Sequence, residues 1–423
     1  MIKAKADYDA IIIGAGPSGS VAAALLHAQG HRVHIIEKDH FPRFSIGESL
    51  LPQCMEFLGE ANMLDAVHAA AEGCHFQFKH GASFVRRDQY TDFDFREKFS
   101  KGAGTTYQVL RGPFDQVLAQ EVERQGVSIS WGHTLTRFEP PAGEGSDDLP
   151  RVTIRNEAGE TYQLSAKFVL DASGFGRVLP RLLDLDRPSD FPSRTSLFTH
   201  IEDNMVAGEF DRDKIRITIH HANKDVWFWL IPFANGRSSI GVVADNKFFA
   251  DNTDDINAQL QAIIKGEPTF TSLLRNAKYD SPAKQISGYA STVSSLYGPG
   301  YALLGNAGEF LDPVFSSGVT IAMKSASLAA ATLHRQLQGE DVDWATDYAA
   351  PLQAGIDTFR VFVQAWYDGR FQDVIFAPQN ANKKIRGMLS AILAGYAWDL
   401  DNPYVKDSKR RLNTLAELCK PEH

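Results

Sequence analysis

The stretch Gly14-Ala15-Gly16-Pro17-Ser18-Gly19 decides the fold of the N-terminal half. It has the spacing GxGxxG, in which glycines allow a tight turn and let the backbone approach a phosphate. A β-branched apolar run at 8–13 precedes it, and an alanine-rich run at 18–29 with helical periodicity follows it. A second apolar run, 31–36, closes on Glu37. This order predicts a βαβ unit that binds a dinucleotide, with its phosphates at the helix N-terminus and a ribose at Glu37.

Further elements follow from apolar periodicity. Residues 166–171 and 300–305 have the same buried-strand character as 8–13, and each runs into a polar or glycine turn. Residues 194–245 instead contain alternating stretches, which are typical of antiparallel strands. A long helix is predicted over 318–338. We therefore predict an α/β protein with a doubly wound, Rossmann-type nucleotide-binding domain, a mixed and largely antiparallel substrate-side sheet, and C-terminal helices.

The expected domain boundaries follow these elements. The nucleotide-binding domain is predicted to be discontinuous, at 1–185 and 285–340. The substrate-side sheet and active-site region are expected at 75–110 and 186–284, and the helical region at 341–423.

Composition and charge exclude several classes of protein. The net charge of -9 without a basic cluster argues against nucleic-acid and anionic membrane partners. No apolar run reaches the roughly eighteen residues of a membrane span. The chain passes directly from its first residues into a strand-like run, so we expect no signal peptide and a cytoplasmic location. The three cysteines form no CxxC pair and the thirteen histidines show no ligand spacing, so no metal site is predicted.

Four further segments resemble FAD-dependent monooxygenases and halogenases, which separates FAD from NAD. They lie at 41–52, 107–115, 171–174 and 305–313. The resemblance implies that Arg111 lies against the flavin nucleotide. The family usually has Gly-Asp where this chain has Gly305-Asn306, so Asp312 is the better candidate for the ribityl chain. Together with the glycine turn, the expected FAD-binding residues are Gly14, Gly16, Pro17, Ser18, Gly19, Glu37, Lys38, Arg43, Ile46, Gly47, Arg111, Leu135, Asp171, Gly174, Asp312, Gly318 and Val319.

The segment Trp227-Phe228-Trp229-Leu230-Ile231-Pro232 narrows the resemblance to flavin-dependent halogenases, because it fits their WxWxIP motif. Two tryptophans on a strand are often only packing residues. The complete six-residue match favours the family interpretation. It implies that Trp227 and Trp229 crowd the space near the flavin and discourage direct monooxygenation.

Residues 78–84 resemble the segment that carries the halogenases' active-site lysine, which points to Lys79. Most lysines lie on the surface and have no catalytic role. A lysine suits this chemistry because it can hold hypohalous acid by hydrogen bonding, or become a chloramine, and so deliver the halogen in one geometry. Desolvation of a lysine also shifts its pKa readily.

Residues 312–319 resemble the loop that holds halide beside the flavin. The backbone N–H groups of Ser317 and Gly318 begin the long helix and are suited to bind chloride or bromide. Ser317 is equally suited to be a simple N-cap, and both roles are compatible. Phe315 stands where tryptophan halogenases carry a glutamate, which favours a phenol or pyrrole over free tryptophan. Residues 366–371 resemble the C-terminal helices of halogenases whose ring is bound to a carrier protein.

The resemblance as a whole implies a halogenase that uses FADH2, oxygen and chloride or bromide to make hypohalous acid. The halogen then passes the tryptophan pair to Lys79, which presents it to an electron-rich aromatic ring. No second dinucleotide fingerprint occurs, so we expect a separate flavin reductase. Two alternatives stay open. An FAD-dependent aromatic hydroxylase or isoprenoid reductase of the same fold would not need Lys79 or the tryptophans, and a non-catalytic flavoprotein would need none of the chemistry.

Overall fold

The computed structural model describes residues 5–142, 148–250, 255–377 and 382–420. Its strands, in chain order, are β1 Tyr8–Ile13, β2 Val33–Glu37, β3 Gln77–Lys79, β4 Gly81–Arg86, β5 Gln89–Asp94, β6 Thr106–Gln108, β7 Ser128–Trp131, β8 Thr134–Glu139, β9 Arg151–Arg155, β10 Thr161–Asp171, β11 Asp186–Arg187, β12 Arg194–Glu202, β13 Lys214–Ile219, β14 Trp227–Pro232, β15 Arg237–Asp245, β16 Lys284–Ser287, β17 Thr292–Val293, β18 Tyr297–Gly298 and β19 Tyr301–Leu303. Its α-helices are α1 Pro17–Ala28, α2 Cys54–Glu60, α3 Leu64–Ala70, α4 Arg111–Arg124, α5 Val178–Leu182, α6 Ile256–Gly266, α7 Pro268–Leu273, α8 Gly318–Leu337, α9 Ala350–Tyr367, α10 Arg370–Phe376, α11 Lys383–Leu393, α12 Pro403–Lys406 and α13 Ser408–Leu418.

The first sheet has the strand order β18-β19-β10-β1-β2-β7. The five strands from β19 to β7 are parallel, whereas β18 is an antiparallel edge strand. Strand β10 also pairs antiparallel with β9, which pairs with β8. In the parallel register Ile13 lies opposite both Ile36 and Asp171. The strands therefore end together at one edge, where α/β sheets bind their ligands.

The second sheet has the order β16-β12-β15-β14-β13-β4-β5, and its pairs are antiparallel except for β13 with β4. Strand β14 lies near its centre and is buried along its whole length. Its side chains alternate between the two faces of the sheet. Trp227 and Trp229 pack with the main core, whereas Phe228 and Leu230 pack with residues of α6 and α7. The tryptophans thus face the first sheet's side of the molecule.

Helices α8 to α13 close the C-terminal part. Helix α8 packs on α1, and Trp366 of α9 is fully buried, with its ring 6.0 Å from that of Phe84. This arrangement confirms the predicted fold class. One core cluster includes residues of both sheets and of these helices. The packing therefore does not separate the predicted domains, and their boundaries stay a prediction. Within the described part of the chain, every helix is too short or too polar to cross a bilayer.

Candidate functional site

A cavity of about 460 Å³ lies where the ends of β1, β2 and β10 meet the tryptophan face of β14. Two sets of residues define its walls. The glycine-turn wall consists of Gly14, Gly16, Pro17, Ser18, Glu37 and Lys38. The tryptophan wall consists of Ile215, Ile217, Trp227, Trp229 and Ile231. Between the two walls lie other residues predicted from sequence, namely Arg43, Ile46, Gly47, Arg111, Leu135, Gly174, Gly318 and Val319.

The glycines of the turn serve two different needs. Gly14 has φ +96°, and a Cβ there would lie 2.7 Å from the carbonyl oxygen of Ala172. A Cβ at Gly19 would overlap the carbonyl oxygen of Gly14. The turn therefore needs glycine at this position, although Gly19 does not line the cavity. Gly16 differs, because the nearest atom to its Cβ would be a guanidinium nitrogen of Arg43 at 3.6 Å. The chain itself leaves space at Gly16, as expected if a phosphate passes there at the start of α1.

Glu37 is buried at the end of β2 and holds the turn together. Its Oε2 accepts a hydrogen bond from the Ala15 N–H at 2.7 Å, and its Oε1 accepts one from the Asp39 N–H at 2.9 Å. The carboxylate still lines the cavity. A carboxylate oxygen has more than one acceptor site, so it retains capacity for ribose hydroxyls.

Arg111 and Arg43 fix the segment that follows β2. Arg111 at the start of α4 makes a two-pronged ion pair with Asp115, at 2.8 and 3.1 Å, and donates to the Ile46 carbonyl at 2.6 Å. Arg43 donates to the same buried Asp115 at 3.1 Å. This bonding anchors Ile46 and Gly47 at the cavity. Sequence reasoning missed Asp115, although its i,i+4 spacing from Arg111 on a helix was a readable signal.

The two aspartates predicted to contact the flavin, Asp171 and Asp312, do not line the cavity. Asp171 is fully buried, and its oxygens accept from the N–H groups of Ser173 at 2.9 Å and Leu179 at 2.6 Å. Burial raises the pKa of this carboxyl. Asp171 is absent from the cavity wall and holds the loop of Gly174, which does line it. Asp171 therefore supports the site from behind.

The structure places Asn306, and not Asp312, at the cavity wall. Asn306 lines the cavity, and its buried Oδ1 has no hydrogen-bond partner among the described residues. Asp312 lies behind the wall, because it caps a short 3-10 turn by accepting from the Val314 N–H at 3.0 Å. A buried amide oxygen without a partner, in a residue that lines a cavity, is suited to a ligand that donates, as ribityl hydroxyls do. Together with the open space at Gly16, this fits FAD.

Asp312 belongs to a buried relay behind the tryptophan wall. The Trp227 Nε1–H donates to the Tyr367 hydroxyl at 3.0 Å, and that hydroxyl donates to Asp312 Oδ2 at 2.8 Å. The guanidinium of Arg194 lies 3.6 Å from the centre of the Tyr367 ring. Burial raises the pKa of Asp312 to about 6. Trp229 is held separately, because its Nε1–H donates to the Ser239 hydroxyl at 3.1 Å.

Lys79 ends β3 with no solvent exposure. Its Nζ donates to the Ser49 hydroxyl and to the Leu50 carbonyl, both at 2.7 Å, and lies 5.5 Å from the centre of the Phe95 ring. Burial lowers its pKa to about 7. Lys79 does not reach the cavity wall, but its partner Ser49 does. Sequence reasoning missed Ser49, which gave no motif signal of its own.

Residues 312–319, which resemble the halide-binding loop, lie partly at the cavity wall and partly in the core. Gly318 and Val319 line the cavity, and so does Ser316, whose φ of 56° turns the chain into α8. Ser317 is the N-cap of α8, but it is buried off the cavity wall and its hydroxyl makes no capping bond. The first N–H groups of a helix have no carbonyl partner within it, so those of Gly318 and Val319 remain available.

Three phenylalanine side chains that were not predicted as site residues line the cavity. Phe44 and Phe175 line it and are 47% and 41% exposed, which is unusual for phenylalanine. Phe310 also lines it, with its ring 5.3 Å from that of Phe175. Phe315 is buried against Trp366 and Phe371, at ring distances of 5.9 and 5.5 Å.

Comparisons with known proteins agree with this geometry. Residues 7–350 match the family model described as FAD binding domain. A 1H-pyrrole-2-carbonyl peptidyl-carrier-protein chlorinase of Pseudomonas fluorescens is 26% identical over 99% of this chain and 95% of its own length. A tryptophan 2-halogenase of Chondromyces crocatus is 28% identical over 80% of this chain and 63% of its own. The crystal structure of a flavoprotein/dehydrogenase from Cytophaga hutchinsonii is 43% identical with a TM-score of 0.91, covering 97% of this chain and 98% of that one. The chlorinase and the tryptophan 2-halogenase confirm the resemblance to flavin-dependent halogenases.

Proposed function

Since the chain belongs to the FAD-binding domain family, we propose that it is a flavin-dependent halogenase that places chloride or bromide on an electron-rich aromatic ring. The observation that carries the proposal is the placement of Lys79. Its amine is fully buried and has a pKa of about 7. It donates to Ser49, which lines a cavity that has the features of an FAD site. Perturbed titratable groups beside such a cavity are typical of catalysis.

Each wall has its own task. Bound FADH2 would supply two electrons to oxygen, which takes two more from the halide to give hypohalous acid and water. The glycine-turn wall holds the nucleotide through the turn at 14–19 and Glu37, while Asn306 accepts from the ribityl hydroxyls. The N–H group of Gly318 at the cavity wall, with that of Ser317 directly before it in the chain, holds the halide at the start of α8. Trp227 and Trp229 occupy the opposite wall and keep the ring of the substrate away from the flavin.

Lys79 presents the halogen to the ring. With a pKa near 7 a large fraction of this side chain is a neutral amine at neutral pH, and its two N–H bonds match the two acceptors, Ser49 and Leu50. The lone pair is then free to hold hypohalous acid by its proton. In the substitution the ring exchanges a proton for the halogen, and water is released.

For the substrate we propose a phenol or pyrrole, carried in some cases on an acyl or peptidyl carrier protein. Two observations support this choice. Tryptophan halogenases carry a glutamate at the position of Phe315, whereas here this position is apolar and packs against Trp366 and Phe371. An electron-rich phenol or pyrrole needs no such carboxylate. The Pseudomonas fluorescens relative acts, by its name, on a carrier-bound pyrrole. A separate flavin reductase supplies the reduced cofactor, and the cytoplasmic location stays a prediction.

The test is an incubation of the FAD-loaded protein with a flavin reductase, NADH, oxygen, bromide and a panel of free and carrier-tethered phenols and pyrroles. We expect mass spectra to contain brominated products that disappear when bromide is omitted. Hydroxylated products without bromine would replace the proposal by a monooxygenase. Dehydrogenated products formed without bromide would favour the activity named for the Cytophaga hutchinsonii protein. Flavin turnover that leaves the whole panel unaltered would contradict the proposed substrate class.

A further inference from the structure

A second group of titratable side chains lies outside the cavity, directly after Lys79 in the chain. His80 joins β3 to β4, is only 7% exposed, and its Nδ1 has no hydrogen-bond partner among the described residues. Possible ligand atoms of His80, Asp211 and Asp213 all lie within 4.8 Å of one another. A buried imidazole nitrogen without a partner costs about 1–3 kcal/mol, so its surroundings call for a ligand.

Strand pairing brings these residues together. Strand β13 pairs parallel with β4, so the residues before β13 lie beside the residue before β4. The backbone N–H of His80 donates to the Asp213 carbonyl at 2.9 Å. Asp213 N–H donates to Asp211 Oδ1 at 3.1 Å, and Gln77 donates to Asp213 Oδ1 at 2.8 Å. The two carboxylates are therefore held in place before any ion arrives.

The charge around His80 is unbalanced. Asp94 Oδ2 lies 3.8 Å from His80 Nδ1, which is beyond hydrogen-bond distance. Four carboxylates in this neighbourhood face three cationic side chains, an excess of one negative charge. The carboxylates are those of Asp92, Asp94, Asp211 and Asp213, and the cations are Arg96, which pairs with Asp94, Lys214, which pairs with Asp92 and Asp211, and Arg386, which donates to the Asp92 carbonyl.

We propose that His80, Asp211 and Asp213 bind one divalent transition-metal ion of the Zn²⁺ or Mn²⁺ class. One imidazole nitrogen with two carboxylate oxygens is a donor set that these ions accept, and water completes the coordination. Mg²⁺ and Ca²⁺ prefer oxygen ligands alone. The ion balances the excess charge and ties the loop before β13 to the junction beside Lys79. No ligand spacing is visible in the sequence because the donors come from two distant segments.

The test is calorimetric titration of the EDTA-treated, FAD-loaded full chain with Zn²⁺ and, separately, with Mn²⁺. We expect one site per chain and a higher thermal midpoint when the ion is bound. The double variant Asp211→Asn with Asp213→Asn retains oxygen acceptors for the Asp213 N–H and for Gln77, so we expect it to fold. Its affinity for the ion should fall at least tenfold.

A second histidine group provides the matched control. His220, His221 and Glu267 also lie within reach of a common ion, but His220 Nδ1 already accepts from the N–H groups of Ala222 and Asn223. The double variant His220→Ala with His221→Ala should bind the ion as the unaltered protein does. Loss of binding in this variant, with binding retained in the Asp211/Asp213 variant, would overturn the proposal. So would the absence of one-site binding in the unaltered protein.

Discussion

The two walls of the cavity solve opposite problems. The glycine-turn wall presents backbone and a carboxylate, Glu37, directly to the ligand. The tryptophan wall presents only apolar side chains. Two titratable groups stay buried off the cavity, Asp312 behind Trp227 and Tyr367, and Lys79 behind Ser49. Burial shifts the pKa of both groups toward the neutral form, down to about 7 for the lysine and up to about 6 for the aspartic acid. The glycine-turn wall thus offers polar groups to a charged cofactor, whereas burial holds Lys79 and Asp312 away from water and favours their neutral forms.

The largest effect should come from Lys79→Met, which retains much of the volume and removes the amine. We expect halogenation to fall by about 10²- to 10⁴-fold, the usual range for a lost proton-handling group. FAD binding should be unchanged, because Lys79 does not touch the glycine-turn wall. In the unaltered protein, halogenation should rise with pH through about 7, as the neutral amine forms. Product formation and flavin fluorescence measure the two properties separately.

The control for this variant is Lys265→Met, on an exposed position of α6. It should leave both properties unchanged. A full halogenation rate in Lys79→Met would remove this lysine from the mechanism, and a parallel loss of FAD would mean that the two walls are not independent.

The next effect concerns Asp312 and the stability of the protein. Its pKa is raised from 3.8 in the unfolded chain to about 6 in the folded protein, so folding favours the protonated form. The contribution of Asp312 to the free energy of unfolding therefore falls by on the order of 3 kcal/mol as the pH rises from about 4 to about 6. Asp312→Asn is neutral throughout and should be spared this loss. Free energies of unfolding measured from pH 4 to 7 should diverge accordingly.

Asp280 provides a control of opposite sign. Its exposed ion pair with Arg237 lowers its pKa to about 2, so its contribution is lost only when the pH falls. Asp280→Asn should therefore leave the stability difference between pH 5 and pH 7 unaltered. Parallel curves for Asp312→Asn and the unaltered protein would mean that Asp312 is ionised in the folded state.

The contrast between the walls also explains what could be predicted from the sequence. The glycine turn and the tryptophan pair each belong to one contiguous strand or turn, so local order fixes which way they face. Asp312 and Asn306 lie in successive 3-10 turns, and their directions depend on how those turns pack. The pair Asp312-Pro313 did carry one signal, because an aspartate before proline often caps the following turn. Ser49 and Tyr367 had no such signal, since their partners lie far away in the chain.

Gly16→Ala tests the glycine-turn wall itself. The added Cβ meets no atom of the chain closer than 3.6 Å, so the variant should fold with an unaltered thermal midpoint in the absence of FAD. If a phosphate passes over Gly16, we expect FAD affinity to fall by about thirtyfold, or about 2 kcal/mol. Gly266→Ala, where no atom lies within 4 Å of the added Cβ, is the matched control. Unchanged FAD affinity in Gly16→Ala would place the phosphates elsewhere.

The smallest effects should come from removing the hydrogen-bond partner of one tryptophan at a time. Tyr367→Phe removes the partner of Trp227, and Ser239→Ala removes the partner of Trp229. We expect Ser239→Ala to cost about 1 kcal/mol of stability, the usual value of one hydrogen bond, and Tyr367→Phe to cost more because its hydroxyl makes two. Only Tyr367→Phe also removes a donor to Asp312, and that donor lowers the pKa of the carboxyl. The pH at which stability is lost should therefore move upward in Tyr367→Phe and stay fixed in Ser239→Ala. Equal pH profiles in the two variants would separate Asp312 from the tryptophan wall and leave Trp227 held by packing alone.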